Sequence, residues 1–403
     1  VLPVDYDVGK QPQELQQQLH KLEFLGIVGM QDPLRPEVPD AIQACRDARI
    51  GVLMVTGDHP DTASAIARQL ALTKHSNNAI TGRQLEQRFL QPNVDGPPLT
   101  DDERVFARVE PKQKQLLVEQ LTRQGEFVAV TGDGVNDAPA LRHAHVGIAM
   151  GKRGTDVARE SADLILTDDN FASIIEGVRQ GRLVYANIRK VVFLLISTGA
   201  AEILLFILSV LFGLPLPLLP IQLLWLNLVT NGMQDIALAF EPAEGNELNK
   251  PPRSPKEPMF NRLMIERVLV NAMVMGGIAF VLFYQALQMG IAETEARNLT
   301  LLLMVLFENI HVFNSRSEAL SIFKQPFFGN PFLLLGMLSA QGIHIAAMHL
   351  PVISDILQLT PVSLAQWSTL LAYATSLILV DETHKWWLAR SQAASKTKSR
   401  NQT

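Results

Sequence analysis

Residues with the chemistry of phosphate binding are concentrated in one short, glycine-rich segment. The run TGDGVND at 131–137 places two carboxylates, Asp133 and Asp137, four residues apart directly after a predicted strand. Glycines let backbone N–H groups approach a phosphate, and Asp133 can hold Mg²⁺ against phosphate oxygens. The segment therefore predicts a phosphate site that also includes Thr131, Gly132 and Gly134.

Two further segments supply groups that suit the same chemistry. In Thr56-Gly57-Asp58, a hydroxyl and a backbone amide stand at the start of a predicted helix, where anions bind. Lys114, which follows Arg108, can offset the charge of a transferring phosphoryl group. Alone, Thr-Gly-Asp is usually a turn with a helix cap and a lysine is usually solvated. Together, in this order and at strand ends, the three segments favour phosphoryl transfer.

A second group of oxygen-bearing side chains lies within the apolar second half of the chain. Four of them recur at helical spacing from 227 to 235 and share one helix face, and Gly232 permits local unwinding there. Interhelical hydrogen bonding is the alternative role. Carboxylates inside a membrane favour a functional site, and an oxygen-only ligand set favours a hard cation. The predicted ligands are Glu202, Asn227, Thr230, Asn231, Asp235, Glu308 and Glu318, the last fitting an interfacial charge equally well.

The phosphate-binding segments are positioned by strands that alternate with helices. Such alternation predicts a parallel, doubly wound sheet, with the active crevice at the carboxyl ends of the strands. We predict strands at 22–30, 51–55, 127–130, 146–150 and 163–166, helices at 37–49, 60–72 and 111–124, and a helix with an irregular loop within 77–103.

The second half of the chain predicts a membrane bundle. Six apolar segments, each about long enough to cross a bilayer core, lie near 191–212, 219–240, 268–288, 298–316, 331–349 and 364–380. Lys and Arg are concentrated in the connections after the second and fourth segments and in the tail. By the positive-inside rule, these connections, both ends of the bundle and the soluble half face the cytosol.

Length and composition limit the remaining possibilities. With 403 residues, at least two domains are expected, and we divide the chain at 1–187, 188–390 and 391–403. The single cysteine, Cys45, excludes an internal disulfide and a multi-cysteine metal cluster. The net charge is -5, and no nucleic-acid partner is expected. Val1 begins in mid-pattern without a leader, so a fragment is expected.

Several runs resemble motifs of the P-type ATPases, and the resemblance covers almost the whole chain. VAVTGDGVNDAPALRHAHVGIAMG resembles the family's hinge motif, and GMQDPLRPEV, VLMVTGDHPDTASAIA and FARVEPKQK match further motifs in order. The resemblance implies a haloacid-dehalogenase-like (Rossmann-type) phosphorylation domain that uses ATP and Mg²⁺, followed by an all-α transmembrane bundle. By this resemblance, Asp133 binds Mg²⁺, Lys114 contacts the phosphoryl group, and Thr56, Gly57 and Asn136 line the phosphate site. Asp58 and Asp137 would hold the loops and the metal shell, Arg108 would approach the nucleotide, and Asp32 would lie near the hinge to the nucleotide domain.

The run PIQLLWLNLVTNGMQDIALAFEP resembles the sixth helix of calcium pumps, with two departures from their ligand pattern. Asn231 stands where that family carries Asp, and Gly199 stands where the preceding helix carries Asn. The resemblance makes calcium the first expectation for the cation. The two departures leave sodium, manganese or another cation as alternatives.

The family's nucleophile motif, Asp-Lys-Thr-Gly-Thr, does not occur in the chain, nor does its Thr-Gly-Glu-Ser loop. We therefore expect the chain alone to be inactive. Its expected partner is the amino-terminal part of the same pump, and its expected location is the plasma membrane. A phosphatase on a membrane anchor and a non-catalytic membrane fragment remain alternative hypotheses. An anchor would need no carboxylates inside the membrane.

Overall fold

The computed structural model describes residues 25–26, 33–73, 79–89, 99–100, 103–254, 257–318 and 320–400, without the side chains of 389 and 391–400. Asp32 and most of the strand predicted at 22–30 lie outside the described residues.

The first parallel sheet is small and has the strand order β1-β3-β2. Its strands are β1 (Met54–Val55), β2 (Ala79–Thr81) and β3 (Val105–Ala107). All of β3 is buried, so it forms the centre of this unit. Around the strands lie the helices α1 (Val38–Asp47), α2 (Pro60–Gln69), α3 (Gly82–Phe89) and α4 (Pro111–Arg123). Proline at the first position of α2 and α4 fits the fixed φ angle of a helix start.

The second parallel sheet has the strand order β4-β5-β6. It consists of β4 (Ala129–Gly132), β5 (Val146–Met150) and β6 (Leu164–Leu166), with α5 (Ala138–His143) and α6 (Asp156–Ser161) in the connections. We predicted one doubly wound sheet, whereas the described strands form two sheets of three. The sequence shows that strands and helices alternate, but not which strands share hydrogen bonds. The sequence analysis also did not predict β2 and β3.

One helix leads from the soluble region into the apolar region. This helix, α7 (Phe171–Leu211), has 41 residues, so it is about 60 Å long. The Asn170 side chain accepts from the Ala172 amide and caps its start. It ends where Gly213 adopts a positive φ of 66° and Pro215 follows. The helix passes without interruption through the predicted domain boundary between 187 and 188.

The second predicted span is not one regular helix. It consists of α8 (Pro220–Trp225), a π-helical segment (Leu226–Asn231) and α9 (Gly232–Ala239). We predicted the irregularity at Gly232, which instead begins the regular helix α9. A π-helix bonds from i to i+5 and widens the turn, and such turns are often found at functional sites.

The rest of the bundle is built around one buried helix. Nearly all of α11 (Glu293–Ser315) is buried among its neighbours, which include α7 and α10. Isoleucine and leucine side chains on the outer faces, such as Ile203 and Leu335, are exposed. The remaining helices are α10 (Arg262–Gln288), α12 (Pro331–His349), α13 (Pro351–Leu357) and α14 (Leu364–Arg400).

Within the described residues, α7, α10, α11 and α12 are long and apolar enough to cross a membrane. The chain is therefore a membrane-protein candidate with four candidate spans among the described residues. The second predicted span is broken by the π-helical segment, and α14 carries charges in its second half. The full count of six stays a prediction.

Candidate functional site

The Thr56-Gly57-Asp58 loop follows β1 and is held by backbone bonds to the segment after β3. The Val109 amide donates to the Thr56 carbonyl, and the Arg108 amide donates to the Asp58 carbonyl. Thr56 Oγ1 accepts from the Asp58 amide at 3.1 Å, which closes a tight turn. Arg108 is exposed and has a φ of +51°, a conformation that costs a non-glycine residue energy. The loop and Arg108 thus share one edge of the first sheet.

An ion pair joins this edge to the second sheet. Lys114 Nζ, in the first turn of α4, donates to Asp137 Oδ1 at 2.8 Å. Asp137 Oδ2 accepts from the amides of Asp133 and Gly134 at 3.1 and 3.2 Å. Burial raises the pKa of Asp137, but the hydrogen bond and charge of Lys114 and the two amides outweigh it and lower that pKa. Both carboxylate oxygens of Asp137 are therefore used to hold the loop and the lysine.

The close contact of Asp137 with its own strand requires glycine at 132. A Cβ atom on Gly132 would lie 2.4 Å from the Asp137 Cβ, a distance that atoms do not tolerate. The glycine in this motif therefore makes room for a carboxylate, in addition to opening the backbone.

Asp133 differs from Asp137 because its carboxylate is exposed and makes no hydrogen bond among the described residues. Asn136 is exposed beside it, while Thr131 and Gly134 are half-buried. No group of three or more His, Cys, Asp or Glu that could hold a metal occurs in the described part. One free carboxylate at the end of β4 fits a shared Mg²⁺ ligand, with phosphate and water oxygens completing the shell.

Short bonded steps connect Asp133 to the long helix α7. The Thr155 amide donates to the Asp133 carbonyl at 2.8 Å. In the same loop, the amides of Lys152 and Arg153 donate to the two carboxylate oxygens of Asp169, each at 2.9 Å. These bonds hold the pKa of Asp169 below its usual value. Asp169 immediately precedes the cap of α7, so hydrogen bonds connect the Asp133 loop with the start of this helix.

A single arginine joins α7 to two other parts of the molecule. Arg182 Nη1 donates to the carbonyls of Glu247 and Lys250, both at 2.8 Å, and Nη2 donates to the Ala48 carbonyl at 3.2 Å. The first two carbonyls lie in the connection after α9, and Ala48 ends α1 of the soluble region. Arg182 therefore fixes the soluble region, α7 and the second span relative to one another.

Inside the bundle, the predicted ligands of three helices do come together. Asn227 Nδ2 donates to the two carboxylate oxygens of Glu202, each at 3.1 Å. Thr230 Oγ1 lies 2.6 Å from Glu308 Oε2 and 2.6 Å from the Leu226 carbonyl oxygen. One hydroxyl hydrogen cannot serve both acceptors, so a second hydrogen, such as that of a protonated Glu308, or a bound cation would complete this part of the cluster.

The same cluster contains three buried oxygen atoms that lack a hydrogen-bond partner within the described residues. They belong to Asn231 (Oδ1), Asp235 (Oδ1) and Glu308 (Oε1). Asn231 Nδ2 is occupied, donating to Thr198 Oγ1 at 3.1 Å. A buried polar atom without a partner costs about 1 to 3 kcal/mol, so such atoms need an explanation. Each of these is an oxygen of the type that binds hard cations.

Glu318 lies beyond the end of α11 and forms a separate pair. Its Oε1 accepts from Arg189 Nε at 2.9 Å, and the Arg189 Nη1 atom donates to the Met259 carbonyl. The geometry gives Glu318 the interfacial ion-pair role and does not join it to the cation cluster.

Several polar contacts in the bundle were not predicted. Thr198 stands one helical turn before Glu202, a spacing that could have indicated it. Gln234 donates to Asn309 and Asn309 to Gln341, both at 2.7 Å, across three helices. No spacing rule relates residues on three separate helices, so only the structure shows this chain.

The comparisons with known proteins agree with this two-part arrangement. Residues 4–145 match the family described as haloacid dehalogenase-like hydrolase. Residues 215–387 match the family described as cation transporting ATPase, C-terminus. The chain thus combines a hydrolase domain of the haloacid-dehalogenase type with a helical, membrane-type region.

Individual relatives indicate more specifically which proteins this chain resembles. The calcium-transporting ATPase of Bacillus subtilis (strain 168) is 39% identical over 349 residues, which are 86% of this chain and 38% of that protein. The probable cation-transporting ATPase F of Mycobacterium tuberculosis (strain ATCC 25618 / H37Rv) is 38% identical over 364 residues, 89% of this chain and 40% of that protein. The resemblance is therefore confirmed: this chain is related to the cation-transporting ATPases. It spans 38 to 40% of the length of these relatives.

Proposed function

We propose that this chain is the carboxyl-terminal part of an ATP-driven pump that moves a hard cation, calcium first among the candidates, across a membrane. The observation that carries the proposal is the set of three buried oxygens between α7, the second span and α11 that have no partner among the described residues. A membrane anchor for a phosphatase would gain nothing from such costly groups.

In this proposal the soluble region binds the phosphoryl group and its metal. Asp133 is a Mg²⁺ ligand, and Mg²⁺ neutralises charge on the phosphates of ATP. Lys114, held by Asp137, approaches the phosphoryl group, while Thr56, Gly57 and Asn136 line its site. The nucleophile is an aspartate outside this chain, and the reaction passes through an aspartyl-phosphate. Arg108, exposed at the same sheet edge, contacts the nucleotide.

The membrane cluster is the proposed transport site. Its ligands are Glu202, Asn227, Thr230, Asn231, Asp235 and Glu308, supplied by three helices. Asn in place of Asp at 231 lowers the site's charge, which leaves sodium and manganese as the other candidates. The π-helical turn frees backbone carbonyls near these side chains to take part.

The two sites are linked by α7 and communicate over a long distance. Glu202 lies about 45 Å along α7 from its start, where the bonded steps from Asp133 arrive. We take the soluble region and both ends of the bundle as cytosolic, because Lys and Arg are concentrated in the connections on that side, and the plasma membrane as the location. We take 1–187 as the phosphorylation domain, 188–390 as the bundle and 391–403 as a tail.

The test is a cation titration of phosphorylation in the complete pump. Glu202→Gln and Asp235→Asn should each raise by about tenfold the cation concentration for half-maximal phosphorylation by ATP, because a charged ligand is lost. Back-phosphorylation by inorganic phosphate should survive, since its own groups are intact. Calcium, sodium and manganese are titrated separately to identify the ion.

Glu318→Gln is the matched control for these variants. It also removes a carboxylate from the bundle, but one that pairs with Arg189 outside the cluster. Its half-saturation should equal that of the unmodified pump. Unchanged values for every ion in both cluster variants would contradict the proposed transport site.

A further inference from the structure

Two asparagine side chains of the second span each donate to an oxygen atom of α7. Asn227 Nδ2 donates to the carboxylate of Glu202, and Asn231 Nδ2 donates to Thr198 Oγ1 at 3.1 Å. On each helix the two positions are four residues apart, and the numbers rise on one helix as they fall on the other. Such pairing is expected where antiparallel helices face each other. The two contacts are therefore equivalent in geometry, but only the first ends on a charged group.

The hydroxyl of Thr198 is directed so that it accepts from the second span. Its Oγ1 lies 3.1 Å from the Leu194 carbonyl oxygen and 3.0 Å from the Leu195 carbonyl oxygen, both on its own helix. A hydroxyl has a single hydrogen, so while this hydrogen points to these carbonyls, only lone pairs face Asn231. An amide oxygen placed there would meet a second acceptor. Thr198 therefore favours Nδ2, and not Oδ1, of Asn231 as its neighbour.

The orientation of the Asn231 amide decides what this side chain offers to the membrane cluster. Oδ1 is a ligand of the kind that hard cations take, whereas Nδ2 carries two hydrogens and cannot bind a cation. With Nδ2 on Thr198, Oδ1 is left buried without a partner among the described residues, in the cluster that contains the unpartnered oxygens of Asp235 and Glu308. In the reverse orientation, Nδ2 would compete with the cation for such acceptors.

This requirement is specific to an amide at position 231. An aspartate presents an oxygen at both ends of its side chain, so it can bind a cation in either orientation. An asparagine needs a neighbour that distinguishes its two ends. Thr198 and Asn231 are both fully buried, so water does not take this role.

We propose that Thr198 is a positioning residue of the membrane site. It holds the Asn231 amide so that Oδ1, and not Nδ2, is presented to the transported cation. This role rests on the proposed transport site, and it gives that site an uncharged residue that acts through a ligand without being one itself.

Thr198→Val in the complete pump tests this role, because valine keeps the branched shape of threonine but cannot accept a hydrogen bond. The cation concentration for half-maximal phosphorylation by ATP should rise about tenfold, since Asn231 no longer presents its oxygen in a fixed orientation. The maximal phosphoenzyme level should stay the same, because no charged ligand is lost. Thr198→Ser keeps the hydroxyl and should stay within about twofold of the unmodified pump.

Ser197→Ala is the matched control. Ser197 is the preceding residue of α7 and is equally buried, and its hydroxyl donates to the Phe193 carbonyl at 2.7 Å. It makes no hydrogen bond to the second span in the part of the chain that the structure describes. Its half-saturation should therefore be unchanged. A tenfold rise here as well would mean that the loss of any buried hydroxyl on α7 disturbs the site, and would contradict the role of Thr198.

The Asn231→Asp background separates positioning from direct cation binding. Because a carboxylate needs no orientation, Thr198→Val should change the half-saturation of this background by less than about twofold. The same tenfold shift in both backgrounds would mean that Thr198 binds the cation itself or only supports helix packing. Either result would overturn the positioning role.

Glu202→Gln distinguishes an error about Thr198 from an error about the transport site. If Glu202→Gln raises the half-saturation and Thr198→Val does not, the cluster remains the transport site and only the positioning role is lost. If neither variant changes the half-saturation for calcium, sodium or manganese, the cluster is not the transport site and both proposals are wrong.

Discussion

The two polar sites of this chain satisfy their oxygens in opposite ways. At the soluble site, Asp137 uses both carboxylate oxygens in short bonds to Lys114 and two amides, and Asp133 faces water. At the membrane site, Asn231, Asp235 and Glu308 each keep a buried oxygen without a partner in the described residues. The carboxylate oxygens of the soluble site are either hydrogen-bonded or exposed, whereas three oxygens of the membrane site are buried without a partner in the described residues.

The difference follows from what each surrounding medium can supply. Water can donate hydrogen bonds to an exposed carboxylate, so Asp133 remains free of Mg²⁺ at little energetic cost. A buried oxygen has no such substitute and costs about 1 to 3 kcal/mol until a donor or a cation arrives. An unpartnered oxygen is therefore ordinary at the soluble site, whereas three of them close together in the membrane cluster favour a ligand there.

Asp133→Asn is expected to have the largest effect on the proposed reaction. In the complete pump it should lower phosphoenzyme formation from ATP by at least about a hundredfold, since an anionic Mg²⁺ ligand is lost. Radiolabelled ATP measures the phosphoenzyme, and membrane insertion should be normal. A normal phosphoenzyme level in this variant would show that the exposed carboxylate is only a surface charge.

Asp137→Asn should instead lower stability, in a pH-dependent way. Because the folded pKa of Asp137 is lowered, its charge stabilises the fold above the unfolded pKa of about 3.9, and this stability is lost as the pH falls through the folded value. At neutral pH the variant should lose roughly 1 to 2 kcal/mol of unfolding free energy, and the difference should shrink below about pH 4.

The buried thiol of Cys45, the single cysteine, reports this unfolding through its reaction with dithiodipyridine in a urea series. Asp133→Asn is the matched control and should leave the urea midpoint unchanged at both pH values. A loss of stability in Asp137→Asn that is equal at neutral and acid pH would contradict an electrostatic role.

Much of the soluble fold was predictable because local signals mark each element. Proline at the start of α2 and α4 and the apolar run of β5 gave elements close to those observed. Short strands were predicted unevenly: β1 and β6 lie within the predicted strands at 51–55 and 163–166, whereas β2 and β3, of three residues each, were missed. Pairing between strands depends on contacts distant in sequence, so the sequence alone could not show that the described strands form two sheets.

At the sites, residue types were predictable but pairing was not. The spacing of Asn227, Thr230 and Asn231 indicated one helix face, yet their partners lie on two other helices, Glu202 and Thr198 on α7 and Glu308 on α11. The π-helical turn was missed because no residue in 226–231 marks it. Arg182 has an ordinary position on α7, and its importance comes only from carbonyls distant in sequence.

The smallest expected effect concerns Arg182, and it tests whether the two sites depend on each other. In Arg182→Gln, the shorter glutamine side chain cannot donate to the carbonyls of Ala48, Glu247 and Lys250 together. Each lost hydrogen bond costs about 1 kcal/mol. If α7 carries the coupling, phosphorylation by ATP should become about threefold less sensitive to the transported cation, while back-phosphorylation by phosphate remains. Hydrogen exchange should accelerate in 246–250 and around 48.

Arg179→Gln is the matched control for this comparison, because Arg179 lies one turn earlier on the same helix and, in the described part of the chain, its hydrogen bonds go to Glu176, at 2.6 and 2.8 Å. It should alter neither the cation sensitivity nor exchange in 246–250. If Arg182→Gln accelerates exchange but leaves cation sensitivity unchanged, the arginine joins the elements without transmitting between the sites. The soluble site and the membrane site would then have to communicate along α7 itself, through the bonds of Asp169 to the loop that also contacts Asp133.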